Sequence, residues 1–176
     1  MRNIERCLFE AAVYKMSFMK KLLTENELLV RLERQCAMTE YAIADIKQKV
    51  YKAGLDGGAA NRIANKLVED GYVNEDRYIR AFVHDKFAFN RWGRRKIELA
   101  LAQKGIRGER VEEELSAIDE ELYESVLVEL LRSKDKSIAA NDNRQRVQKL
   151  LGFAVARGFE PYLAMRVISN MVGQNS

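Results

Sequence analysis

The sequence predicts an all-α chain built from three tandem three-helix units. Three observations carry that prediction. Apolar residues recur at three- and four-residue spacing over most of the length, which is the period of one helix face. Only one proline and ten glycines interrupt 176 residues. Three stops of one pattern, YKAGL at 51–55, AQKGI at 102–106 and VARGF at 155–159, set Gly54, Gly105 and Gly158 apart by 51 and 53 residues. A nearly constant interval of that length marks a repeat array. Three short helices bury little alone, so neighbouring units are expected to share apolar faces in an elongated, curved array.

Residues 1–21 read as an N-terminal extension, amphipathic but irregular. Leu8, Ala12 and Met16 fall on one side, with Lys15, Lys20 and Lys21 scattered over the rest. A loosely attached helix is expected there, and Met16 and Met19 leave open a later native start.

Repeat 1 spans 22–72. Thr24 with Glu27 three residues on is the pattern of a capping box, opening a helix with Leu28, Leu29, Leu32 and Cys36 inward. Thr39 is expected to cap a second helix carrying Ile43, Ile46 and Val50 and stopping at Gly54. A third runs from about Ala59 through Ile63, Leu67 and Val68 to Gly71, and Gly57-Gly58 is expected to open it rather than to cradle a phosphate.

Repeat 2 spans 73–118. Asn74 can cap a helix whose first turn holds Glu75 and Asp76, where carboxylates favour the positive end of the helix dipole. Tyr78, Ile79, Phe82, Val83 and Phe87 then form an apolar stripe, and the aromatics Tyr78, Phe82, Phe87 and Phe89 read as core by spacing rather than as a base-stacking platform. Gly93 breaks the pattern. A second helix, Arg94 to Lys104, carries Ile97 and Leu101 and ends at Gly105, where positive φ is tolerated. A third, Arg107 to about Ile118, shows Val111, Leu115 and Ile118.

Repeat 3 spans 119–173. Glu120 to Ser133 bears Leu122, Tyr123, Val126, Leu127, Leu130 and Leu131; a polar loop follows over 137–143. Arg144 to Arg157 and Pro161 to about Val172 complete it, with Pro161 suited to a first helical position that needs no N–H.

Several functions are disfavoured by what the chain contains. Cys7 and Cys36 lack CxxC spacing and sit near no histidine cluster, so a metal site is not expected and reduced thiols are. No apolar run approaches the roughly 20 residues that cross a bilayer, and the N-terminus lacks a cleavable hydrophobic leader. A cytoplasmic protein without membrane contact is expected. His84 is the one histidine, placed off the apolar stripe and read as a surface residue; GxxxxGK[ST], GxSxG and HExxH are all missing. No carboxylate pair suggests acid-base work, so the chain is read as a non-enzyme with no cofactor.

Charge is where the chain is informative. From Lys86 to Lys104 the cations Lys86, Arg91, Arg94, Arg95, Lys96 and Lys104 face a single acid, Glu98, while 111–125 holds seven carboxylates and no basic residue. The bland reading is a pair of solvated helix faces. The functional one is a basic stripe for a polyanion, with Arg77, Arg80, Arg107 and Arg110 extending it, beside an acidic surface for a protein partner. Arg94, Arg95 and Lys96 start a helix, whose open N–H groups attract anions, although three successive side chains fan around most of the circumference. Trp92 reads as a packing anchor rather than a base stacker.

The run Gly71-Tyr72-Val73-Asn74-Glu75-Asp76-Arg77-Tyr78, followed by Gly93, Lys96-Ile97, Leu101 and Gly105-Ile106, resembles the RecX family, bacterial regulators of the RecA recombinase. The resemblance runs from about Leu22 to Met171, including Arg157-Gly158-Phe159. It implies a crescent of three three-helix repeats lying in the groove of the RecA filament on single-stranded DNA and limiting recombinase, ATPase and coprotease activity. Partners implied are RecA, the RecA-DNA filament and single-stranded DNA, with double-stranded DNA as a second candidate, met by a monomer. Glu75, Asp76, Arg77, Arg95, Lys96 and Lys104 match the family's charged positions; Gly71, Asp76, Tyr78, Gly93, Gly105 and Gly158 would be structural. Asp76 and Arg77 serve equally well as capping or bridging residues. Trp92, the extension and a weak first repeat depart from the pattern. Two other readings stay open: a general DNA- or RNA-binding regulator using the helices around Gly93 as a helix-turn-helix, where Gln103 is the one amide at hand, and a protein scaffold with no nucleic-acid role.

Overall fold

The computed structural model describes residues 23–139 and 142–173, so the extension expected over 1–21, and Cys7 with it, lies outside the described residues. Among the described residues all regular structure is helical. Among these residues nine helices follow one another: α1 Glu25–Cys36, α2 Ile43–Lys52, α3 Gly57–Glu69, α4 Glu75–Ala88, α5 Arg94–Gln103, α6 Glu109–Ser116, α7 Glu120–Asp135, α8 Asn143–Arg157 and α9 Pro161–Gly173. The chain divides into two compact units, Met1–Val73 and Asn74–Ser176.

In the first unit, Thr24 and Glu27 form the expected capping box, each side chain accepting from the other's N–H. α1 buries Leu28, Leu32 and Cys36 against Ile46 and Val50 of α2 and Ala59, Ala60, Ile63, Ala64 and Leu67 of α3. Small residues on α3 let the helices approach closely, and burial raises the Cys36 thiol above its usual range. Thr39 does not cap α2. Its N–H donates to Gln35 O at 3.2 Å, making it part of the exit turn of α1, and α2 starts at Ile43 behind Ala42 with no side-chain cap. Gly57 and Gly58 do open α3, capped by Asp56, whose Oδ1 accepts from Ala59 N–H at 2.8 Å.

In the second unit Asn74 caps α4, its Oδ1 accepting from Arg77 N–H at 2.9 Å. Asn74→Ala is expected to lower stability by about 1 kcal/mol, and Asn74→Asp by little, read as urea midpoints. Tyr78, Ile79, Val83 and Phe87 are buried as the spacing requires. The aromatic stripe ends there: Phe89 is 76% exposed rather than core. It lies two residues beyond Phe87, which on a helix turns a side chain roughly to the opposite side. α4 packs on α5 and α6, and α7 on α8 and α9. Tyr123, Leu127, Leu131, Leu150, Ala154, Phe159, Ala164, Val167 and Ile168 bury between the latter three. Across the α7–α8 connection Arg146 forks onto Asp135, Nε to Oδ1 at 2.6 Å, and holds that carboxyl below its usual range.

The two sets of three helices in this unit meet through main chain. Gly93 N–H donates to Arg157 O at 2.8 Å, and Arg95 N–H to Gly158 O at 3.1 Å. A Cβ on Gly93 would stand 2.3–2.4 Å from the Gly158 carbonyl and Phe159 N, and one on Gly158, whose φ is +92°, would stand 2.3 Å from Lys96 Cβ. Only glycine fits either side. Beside this contact Phe87, Tyr123 and Phe159 stack in a row, with centroids 5.7 and 5.0 Å apart. The buried Tyr123 hydroxyl accepts from Arg94 N–H at 2.9 Å and donates to Glu160 at 2.9 Å, with burial pushing its pKa well up.

Candidate nucleic-acid interface

The end of α4 and the start of α5 decide which of the chain's cations are available. α4 stops at Ala88, and Arg91 N–H and Trp92 N–H then return to Phe87 O and Lys86 O at 3.0 and 2.9 Å. This is the bonding of a helix end that turns through a left-handed residue, here Arg91 at φ +53°. The turn folds Trp92 back, half-buried, so that Lys86 Nζ and Lys96 Nζ lie 5.4 and 4.6 Å from the indole centroid.

The expected basic stripe separates into three groups. Arg94 points inward, with its side chain only 18% exposed. Its guanidinium donates to Leu115 O at 3.0 Å, Ile118 O at 2.9 Å and Glu120 at 2.8 Å, and lies 4.1 Å over the Tyr123 ring. It closes the open carbonyl end of α6. A second group is engaged by carboxylates at the surface. Arg80 meets Glu114 at 3.3 Å, Arg91 meets Glu129 at 2.5 Å, and Arg110 reaches Asp76 at 3.1 Å as well as Glu113. Asp76 thus bridges α4 to α6.

Lys86, Arg95 and Lys96 form the third group and have no carboxylate partner among the described residues. Lys96 Nζ reaches only Ala156 O, at 3.5 Å. Arg77 and Arg107 are exposed and Lys104 is half-buried, Arg107 reaching Ala102 O at 3.5 Å. Arg157, which the stripe did not include, joins the same region through Asn90 O at 3.2 Å. Its 67-residue separation from Asn90 left no local signal in the sequence.

The acidic block is likewise partly spent within the fold, with Glu113, Glu114, Glu120 and Glu124 paired to arginines. His84 is exposed, its ring edge-on to Phe89 at 5.8 Å. Among the described residues no group of His, Cys, Asp and Glu could hold a metal ion, and no helix is long and apolar enough to cross a membrane.

Fold and surface together define an all-α helical-repeat protein that presents a basic turn. Residues 74–115 match the family model for the second three-helix domain of RecX. Regulatory protein RecX of Amycolatopsis mediterranei is 25% identical over 124 residues, covering 70% of this chain and 71% of that protein. That of Clostridium tetani is 26% identical over 116 residues, covering 65% of this chain and 53% of that protein. That of Caldanaerobacter subterraneus is 29% identical over 130 residues, 74% of this chain and 61% of its own. The match thus spans little more than half of some of these relatives. A crystal structure of regulatory protein RecX superposes with a TM-score of 0.71 at 17% identity, over 94% of this chain and 85% of that one. RecX from Lactobacillus salivarius gives 0.69 at 17% identity, over 83% and 95%. The chain is thus similar to RecX regulatory proteins in sequence, shares their fold, and matches the family's second three-helix domain over residues 74–115.

Proposed function

We propose that the protein regulates the RecA recombinase, binding RecA and its filament on single-stranded DNA and damping strand exchange, ATP hydrolysis and coprotease activity. The observation that carries the contact surface is the group Lys86, Arg95 and Lys96, cations left without carboxylate partners at one helix junction. Uncompensated cations of this kind release counterions from phosphates and attract acidic protein surface. Arg157 joins the group through Asn90 O, and Arg77, Lys104 and Arg107 are further cations of the proposed surface, whereas Arg80, Arg91 and Arg110 would need to exchange their present carboxylates for phosphate. Regulation then works by differential affinity for one filament state, without bond chemistry or cofactor, by a monomer in the cytoplasm.

The test is DNA-dependent ATP hydrolysis by the host's RecA on single-stranded DNA, with wild type and an Arg95→Ala/Lys96→Ala variant across a salt series. Wild type is expected to suppress hydrolysis below stoichiometric amounts. The variant should require several-fold more protein, with the log-log salt slope of single-strand binding flatter by about 1.4, roughly 0.7 for each of the two cations removed. Unchanged hydrolysis with both proteins, alongside DNA binding by the wild type alone, would replace this reading by a general DNA-binding one.

A further inference from the structure

We propose that the turn 89–93 is a stacking platform for unpaired bases, with Phe89 as its exposed ring, so that this surface prefers single-stranded to duplex nucleic acid. The proposal rests on the reading that the surrounding cations meet phosphates, and adds which form of nucleic acid they serve.

Phe89 is 76% exposed at the end of α4 and takes no part in the core. A ring left so far in water contributes little burial to the fold. It is nevertheless positioned: the His84 ring braces it edge-on at 5.8 Å. The backbone bonds from Arg91 and Trp92 into α4 hold the turn in one shape, which limits the ordering cost of binding.

Three residues on, Trp92 draws the ammoniums of Lys86 and Lys96 to its ring, placing them no more than about 10 Å from each other. Two like charges so close favour an arriving anion. Arg95 supplies a third charge, exposed and without a partner among the described residues. Phe89 and Trp92 have Cα atoms within about 11 Å, since each residue adds at most 3.8 Å, so one short run of nucleotides can touch both. Aromatic rings interleaved with cations are what a single strand requires, because it offers bases and phosphates together. A duplex keeps its base faces stacked and can use only the cations.

The experiment follows the fluorescence of Trp92, the chain's sole tryptophan, on titration of the full-length protein with three probes of about 16 nucleotides, the upper range for one single-strand module. They are oligothymidylate, an abasic deoxyribose-phosphate strand and a duplex. Wild type should bind oligothymidylate roughly tenfold more tightly than the abasic strand. Phe89→Ala should lose most of that difference and leave the abasic and duplex affinities unchanged, and Phe89→Tyr should keep it. Equal affinity of wild type for the first two probes, or equal weakening of all three by Phe89→Ala, overturns the platform while leaving the cation surface standing. Should wild type bind none of the probes, the DNA contact itself fails and the platform with it. If Phe89→Ala affects only binding to the recombinase filament, Phe89 serves a protein pocket and the proposal is wrong.

Discussion

Gly93→Ala is expected to lower the stability of the second unit by about 3 kcal/mol, within the range for overpacking a closed contact. The added methyl would stand 2.3 Å from the Gly158 carbonyl, a main-chain group that cannot swing aside as a side-chain tip can. Either the bonds from Gly93 to Arg157 and from Arg95 to Gly158 break, or α5 shifts and the Phe87-Tyr123-Phe159 row opens. Gly158→Ala should cost at least as much, because it adds a left-handed backbone at φ +92° to a clash with Lys96 Cβ. Gly152→Ala is the control. It lies within α8, a Cβ there meets nothing within 4 Å, and helix propensity alone predicts a gain of up to about 1 kcal/mol. Urea unfolding followed by Trp92 fluorescence reads all three, since Trp92 adjoins Gly93. An unchanged midpoint for Gly93→Ala would mean that the two backbones separate without cost.

The second large effect is expected at Arg94. Arg94→Ala should destabilise by about 2–4 kcal/mol, because it leaves the Leu115 and Ile118 carbonyls and the Tyr123 ring face without their partner. Arg94→Lys should recover little, since an ammonium cannot fork between two carbonyls and lie flat on a ring. The contrast with its neighbours is the informative part. Arg95→Ala/Lys96→Ala should cost no more than about 1 kcal/mol, well short of Arg94→Ala, since Arg95 is exposed and the half-buried Lys96 gives up only its contacts to Trp92 and Ala156 O, and should lose binding instead. If Arg94→Ala left the midpoint unmoved, the inward contacts would carry no weight.

These two cases mark how far the sequence could be read. Local signals survived: the capping box at Thr24, the Asn74 cap, the opening of α3 at Gly57, Pro161 at the head of α9, and the apolar stripe through Phe87. Each depends on neighbours within a turn or two. Thr39 misled because it resembles a cap, yet the exit turn of α1 claimed its N–H first. Phe89 reads as core by spacing only if it continues the stripe, and an offset of two from Phe87 turns it outward. Arg94 could not be told from Arg95 and Lys96 in a run of three cations. What separates them is Tyr123 and the end of α6, which come beside it only in the folded chain. Gly93 and Gly158 were each visible as breaks, but their contact has no local trace.

Where those two glycines touch, the contact is one of peptide groups, and this bears on how the surface above it can change. A contact that asks only for two missing methyls places no demand on the chemistry of the side chains around it. Phe89, Arg95 and the head groups of Lys86 and Lys96 can therefore be exchanged for others without loosening the frame that holds them. Specificity in this region is open to drift, while the frame itself tolerates almost none at two positions.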